Sequence, residues 1–416
     1  MANNILTPVV ITREALRVLH SKLSFIGGVN RQYDDRYAQT GAKIGNTLNI
    51  RMPSKYSVRT NATLAAQDHY ERSTPLSVSS QYGVDVSFTS AELTMSLDDF
   101  SKRIINPAMA QLAAKLESDA LTAAYKLVPN YTGTGTTTSV ITYKQFAQGG
   151  QALTEELAPY SDRTALLTPA SKVEFLDATK GLFHDAQNIK EQYREGMMGR
   201  TSGFDVYENT LIPAHTTGTL AGSSVTTGAS LGTSTTANLW QSQVTLSVTA
   251  ATAGTTLLAG DIITVTGIFK VNEAKVSTGV LKSFVVQTAV TLTTATSVYD
   301  VVVKPGLMWG VGNGFQNASV PGGTTTNLAV ALFGKVGTAF GQNLQFHKDA
   351  FVFATADLID VSPYGAWGSR QTMDGISMRI AKQYTIASDQ LPCRIDVLWG
   401  FGGLYPELAV RNYYTP

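Results

Sequence analysis

Between Thr216 and Gly260 the chain carries no Asp, Glu, Lys, Arg or His. The stretch, GTLAGSSVTTGASLGTSTTANLWQSQVTLSVTAATAGTTLLAG, is Thr, Ser, Gly and small apolar residues. β-Branched residues separated by Gly favour short strands and turns. Upstream the sequence is of another kind, as in KRIINPAMAQLAAKLESDALTAAYKLV. A β-type block inside a helix-containing chain reads as an inserted domain.

Strand signals continue after this block. Val244–Val248, Ile262–Val265, Val280–Val286 and Val298–Val303 are separated by turn chemistry at Gly260-Asp261 and Gly267. That spacing predicts a small antiparallel barrel or sandwich. The uncharged residues before Val244 read as loop.

The flanking regions mix helix and strand. Residues 7–26 carry Val10, Ala15, Leu16, Leu19 and Leu23 at helical spacing, with Arg13, Arg17 and Lys22 on other faces. Residues 61–75 lack apolar periodicity and predict an extended loop or hairpin that rests on something else. Residues 81–88 alternate as a strand. Asn106 as N-cap and Pro107 at the first helical position open the clearest helix, striped by Met109, Leu112, Ala113, Leu116, Ala120, Leu121 and Leu127 and stopped by Pro129. Asp98 reads as the cap of a shorter helix. Further helices are expected over 142–157, weakened by Gly149 and Gly150, after the Thr168-Pro169 start, and over 327–341. Residues 184–203 read as a loop.

With 416 residues the chain can hold two or three cores. Its formal net charge is +1, from 32 basic and 31 acidic residues, so no global field favours nucleic acid or an acidic membrane. Charged residues make up 15%, below the usual quarter. Composition leaves two accounts open: much of the surface faces other protein, or Thr and Ser supply the polar face. Cys393, the single cysteine, excludes an intrachain disulfide and reads as a buried structural thiol. The N-terminus has no secretion-signal pattern, and no apolar run approaches a membrane span.

Catalytic signals are weak. Gly228-Ala229-Ser230-Leu231-Gly232 fits a nucleophile-elbow pattern, but neither flank has the required strand-to-helix context. His20, His69, His184, His215 and His347 are scattered without ligand spacing, so no metal site, cofactor or catalysis is expected. Arg51, Lys55, Arg59, Asp68, Glu71 and Arg72 lie in or near the extended loop, where inter-subunit ion pairing competes with plain solvation. Arg13, Arg17, Lys22 and Arg31 give the first segment a basic bias that could face nucleic acid through salt-sensitive contacts, weakened by Glu14, Asp34 and Asp35.

Three segments resemble one family. Gly203-Phe204-Asp205-Val206 with Leu211-Ile212-Pro213 resembles the strand leading into its insertion. Gly260-Asp261-Ile262-Ile263 with Val265-Thr266-Gly267-Ile268 resembles its turn and strand, and Cys393-Arg394-Ile395-Asp396-Val397-Leu398-Trp399-Gly400 with Tyr405-Pro406-Glu407 resembles its ending. In order along the chain these are similar to the major capsid proteins of tailed bacteriophages, the HK97-type fold, and more closely to coat proteins of short-tailed phages of the P22 kind. The resemblance implies an α+β fold: N-terminal arm over 1–40, extended loop 41–80, peripheral domain 81–159 with spine helix 107–128, and axial domain 160–213. An inserted antiparallel β-barrel would cover 214–306, and 307–416 would complete the axial domain and return to the peripheral one.

The implied function is structural, without catalysis or cofactor. Many copies would assemble, as pentamers and hexamers, into an icosahedral shell made in the bacterial host cytoplasm. Scaffolding protein, portal, a decoration protein and packaged double-stranded DNA, held by weak non-specific contact, would be the partners; no membrane is involved. The family's bridging loop is charged, whereas Gly228 to Gln243 is not, so bridging here would use Trp240 and Thr or Ser hydrogen bonds. A tail-tube or other virion protein is the alternative, and a serine hydrolase using Ser230 the remote one.

Overall fold

The computed structural model describes residues 8–31, 47–56, 58–59, 62–64, 66, 71–89, 105–136, 141–179, 199–220, 225–229, 240–249, 253–295, 297–309, 314–321, 328–365, 367–373, 375–386 and 390–414. These form a mixed helix-and-strand architecture. Contacts divide the chain into two units: residues 1–50, 75–123 and 351–404, and residues 51–74, 124–350 and 405–416.

The first unit is organised by the 14-residue strand Gln390–Gly403. Along one edge it pairs antiparallel with Ser80–Thr89, and along the other with Ile376–Lys382 and then Phe351–Ala356. Trp367–Met373 extends the sheet beyond Ile376–Lys382. Gly400 permits a close backbone approach, since a Cβ there would overlap the Ser77 carbonyl oxygen. Cys393 is half-buried rather than buried, and desolvation raises its thiol pKa.

The helix Pro8–Lys22 lays Ala15, Leu16, Val18 and Leu19 against this sheet. It does not continue to residue 26; a second helical turn, Phe25–Gly28, follows a break. The cause is Glu117, 2% exposed, whose carboxylate accepts from Ser24 Oγ at 2.9 Å and from the Phe25 backbone N–H. A buried carboxylate needs such donors, and it takes them from the helix end.

Glu117 belongs to the 20-residue helix Asn106–Tyr125, about 30 Å long at 1.5 Å per residue. Met109, Leu112, Ala113, Leu116, Ala120 and Leu121 are buried along it, as the stripe predicts, but the helix ends at Tyr125, short of Leu127 and of the expected end at 128. Asn106 is not the N-cap expected from sequence: Ile105 before it is already helical, and among the described residues the buried Asn106 Oδ1 has no hydrogen-bond partner. The helix expected after Asp98 lies outside the described residues.

In the second unit, the central strand Ala339–His347 pairs antiparallel with Ala409–Tyr414 on one side and Arg163–Leu167 on the other. Phe204–Glu208 runs parallel to Arg163–Leu167, and Asn130–Thr132 parallel to Ala409–Tyr414. The helices Tyr143–Glu155 and Pro169–Thr179 share a core with this sheet through Phe146, Leu153, Phe175, Phe204 and Val410. Thr142 and Thr168 cap them, accepting from the backbone N–H of Gln145 and Ser171 at 3.2 and 3.3 Å. Gly149 looks like a helix weakness in sequence but is a packing requirement, because a Cβ would overlap Gln345 Oε1.

The expected helix over 327–341 is absent. That span holds the strand Ala329–Leu332, a turn, and the start of Ala339–His347. Gly334 and Gly337, at φ +95° and +57°, take backbone conformations that interrupt a helix. The loop read over 184–203 falls mostly outside the described residues, though Arg200–Thr201 is a short strand.

Six strands of this unit pair antiparallel in a ring. Ser277–Val286 meets Val298–Lys304, then Val244–Thr249, Val225–Ala229, Ala329–Leu332 and Ile262–Val271, which returns to Ser277–Val286. Leu246, Val248, Val265, Phe284, Val301 and Val303 fill its core. Two expectations shift here. Part of the segment before Val244 is strand, and the ring takes a strand from beyond residue 306, the end that the resemblance implies for the insertion.

Candidate assembly interfaces and a charged cavity

Arg13 and Arg17 share the exposed face of the first helix, one turn apart. Arg17 is paired with Glu14 at 2.9 and 2.7 Å, and their hydrogen bond and charges lower the Glu14 pKa and raise that of Arg17. Lys22 closes the helix. Arg31 follows the second helical turn, its Nη2 donating to the Gly27 carbonyl at 3.5 Å.

The loop residues find partners within the chain. Arg51 lies 3.3 Å from Glu71, Lys55 donates to Glu273 at 3.1 Å, and Arg59 donates to the Thr63 carbonyl at 3.0 Å. Such pairs are mostly exposed and contribute little to stability. Asp68 lies outside the described residues, as does Ser230. The loop's apolar side chains are the unusual ones: Tyr56, Val58 and Leu64 are 56%, 92% and 81% exposed.

Lys55, Arg72 and Trp240 meet around one cavity of about 320 Å³ within the second unit. The Arg72 guanidinium carbon lies 6.0, 5.6 and 5.5 Å from the ring centroids of Trp240, Phe315 and Tyr405. An arginine so placed gains attraction from the ring faces. Across the cavity Lys270 donates to Asn130 Oδ1 at 2.7 Å and to Glu156 at 3.3 Å. Lys275 donates to the Gln316 carbonyl at 3.1 Å. Lys282, 7% exposed, donates to the Asn317 carbonyl at 3.1 Å, and burial brings its pKa down to about 8. The sequence signal for Lys282 was thin: one lysine inside the apolar run LKSFVV.

A second buried polar cluster ties the ring to the sheet. Asp261, 1% exposed, accepts from His215 Nε2 at 2.8 Å and from the backbone N–H of Leu258 at 2.7 Å and Gly218 at 3.1 Å. The fully buried Arg411 donates to the Gly260 carbonyl at 2.9 Å, and desolvation lowers its pKa. Around them Ile262 and Val285 of the ring pack with Phe340 and Tyr413 of the sheet. Composition could not show this role for Asp261, because His215 and Gly218 lie 46 and 43 residues away along the chain.

Among the described residues no group of three or more His, Cys, Asp or Glu is placed to hold a metal ion, and no helix is long and apolar enough to cross a membrane.

Solved phage structures align with most of the chain at low identity. A chain from Mycobacterium phage Che8 is 10% identical, with 92% of this chain and 89% of that one covered and a TM-score of 0.44. For the capsid of cyanophage P-SCSP1u the values are 11%, 89%, 83% and 0.42. For the bacteriophage PhiM1 mature capsid they are 9%, 88%, 82% and 0.41. No curated protein is a significant match. The profile of the P22 coat protein family (gene protein 5) matches residues 3 to 411. With nearly the whole length matched, the chain belongs to the P22 coat protein family, whose members are structural major capsid proteins.

Proposed function

We propose that copies of this coat protein close into an icosahedral shell, of pentamers and hexamers, around the double-stranded DNA of a tailed phage. The observation that carries this reading is the family match over residues 3 to 411. In the HK97-type arrangement, residues 1–40 act as the arm and 41–80 as the extended loop. The helix Asn106–Tyr125 is the spine of the peripheral domain, and the sheet around Ala339–His347 is the axial domain. The six-stranded ring is the inserted barrel domain, with its boundary moved past 306 to include Ala329–Leu332.

The extended loop supports this assignment, because Tyr56, Val58 and Leu64 stand exposed where a lone chain has little to cover them. In the shell they pack on a neighbouring copy, with Arg51, Arg59, Asp68 and Glu71 at the rim. Arg13, Arg17, Lys22 and Arg31 face the interior, toward scaffolding protein or DNA. Portal and decoration protein meet the assembled shell, which forms in the host cytoplasm and carries no catalytic function. Negative-stain microscopy of the purified protein, with and without its scaffold, tests the proposal. Closed shells are expected; tubes under every condition would instead make this a tail component. A Val58→Asp, Leu64→Asp double variant is expected to stay folded by circular dichroism and to lose shells.

A further inference from the structure

We propose that the cavity between Arg72 and Lys282 binds a carboxylate group. Five cationic and four anionic side chains line it, so its formal balance is one positive charge. Two of the carboxylates are already engaged, Glu273 with Lys55 and Glu156 with Lys270. Asp349 stands 3.7 Å from His347. The remaining cations give their hydrogen bonds to neutral groups, while Glu273 acts on Lys275 and Arg72, and Glu156 and Glu407 on Lys282, through charge alone. Lys275 and Lys282 each give one hydrogen bond to a carbonyl, Gln316 and Asn317 respectively. Arg72 faces three aromatic rings and hydrogen-bonds the Tyr405 side chain, and among the described residues its buried Nε has no hydrogen-bond partner.

An ammonium has three donors, and one neutral acceptor leaves a buried ammonium far short of its solvation in water. Among the described residues no carboxylate lies within ion-pair distance of Lys282, so burial outweighs the longer-range pull of Glu156 and Glu407 and its pKa falls. An entering carboxylate would neutralise the excess charge and accept from the ammonium groups and the Arg72 fork in a site shielded from water. The volume, about 320 Å³, suits a small carboxylate or an acidic side chain with part of its backbone. A metal cation is the wrong ligand for this balance.

The test is calorimetric titration of the unassembled protein with sodium acetate against sodium chloride at constant ionic strength. Saturable acetate binding is expected, weakened on the order of tenfold or more in Lys282→Met, as for loss of a charge-assisted hydrogen bond. If that variant does not fold, the wild type decides: affinity should fall between pH 7 and pH 9.5 as Lys282 discharges near 8, while acetate stays ionised. No saturable binding, or binding unchanged both in the variant and across that pH range, overturns the proposal. Repeating the titration on assembled particles separates the sources. Binding lost on assembly identifies an acidic side chain of a second copy as the occupant; binding retained identifies a free carboxylate. The first titration needs no shell, so its failure leaves the proposed assembly standing.

Discussion

Replacing Asp261 by Asn tests whether one buried carboxylate joins the ring to the sheet. The side chain is 1% exposed and accepts from three donors: His215 Nε2, Leu258 N and Gly218 N. Asparagine keeps one acceptor oxygen and puts an NH2 where the other oxygen stood. Whichever way it turns, an N–H then points at a backbone N–H or at the His215 ring. One charge-assisted bond is lost, worth about 1.5–3 kcal/mol, and one buried donor goes unsatisfied at about 1–3 kcal/mol. The two overlap in part, so a net loss of about 3 kcal/mol is expected. Arg411 also loses a nearby negative charge, which pushes in the same direction. In urea, with a slope of about 3 kcal/mol per molar for a unit of this size, the midpoint should fall by about 1 M. The assay is equilibrium unfolding of unassembled protein, with hydrogen exchange at the Gly218 and Leu258 amides as the local readout. A midpoint shift below about 0.2 M, on the same slope, with both amides still protected, would refute the reasoning.

Three further outcomes follow from the first unit. Asp396, 1% exposed, is opposed by burial, but bonds from Arg394 at 2.8 Å and Arg379 at 2.7 Å outweigh that and lower its pKa. Because the folded value is depressed, its contribution is present above the unfolded value of about 4 and lost as pH falls through the folded one. The stability gap between wild type and Asp396→Asn should therefore be full at neutral pH and close in acid; a gap constant down to about pH 2 contradicts the pairing. Gly400→Ala would drive a Cβ into the Ser77 carbonyl and within 3.0 Å of Val78 Cα, costing at least about 1–3 kcal/mol in thermal unfolding. Gly402→Ala meets the flexible Leu76 Cδ1 at 3.2 Å and Val352 Cγ1 at an ordinary 3.7 Å and should cost less, so equal losses would show that the close approach is not the cause. Cys393, its thiol pKa raised by burial, should react with an alkylating reagent more slowly in native protein than in urea; equal rates would count against it.

The sequence patterns that read correctly were those whose physics is local. The stripe from Met109 to Leu121 and the Thr168-Pro169 start need only a helix's own geometry, and both stand in the structure. The alternation Val244, Leu246, Val248 likewise placed the buried face of a ring strand. Errors arose where a distant residue decided. The first helix stops at Lys22 because Glu117 reaches in from another helix, and Asn106 caps nothing because helical structure begins before it. Residues 327–341 carried helical-looking apolar spacing, but Gly334 and Gly337 and the demands of two sheets turned them into strands. The loop charges were legible as a group. Their meeting with Trp240, Lys282 and Tyr405 around one cavity was not, because those residues are far apart along the chain.

The charge-free stretch has a consequence for what the ring can offer another protein. Its strand Val244–Thr249 buries Val244, Leu246 and Val248 and turns Thr245, Ser247 and Thr249 outward. The outer polarity is carried by hydroxyls, and Ser247 Oγ donates to Asp300 of the next strand at 3.0 Å. Desolvating a hydroxyl costs far less than desolvating an ion, and the hydroxyl can donate or accept as the neighbour requires. A charged face of the same area would need a matched counter-charge at every contact, since an unpaired buried ion costs several kcal/mol. A shell lattice places one sequence in several slightly different surroundings, where matched ion pairs are hard to keep in register. Hydroxyl-covered strands tolerate that variation. The proposed assembly thus gives a physical reason for a composition that would be wasteful in a soluble monomer, and it predicts that adding a charge at Thr245 or Thr249 harms particle formation more than folding.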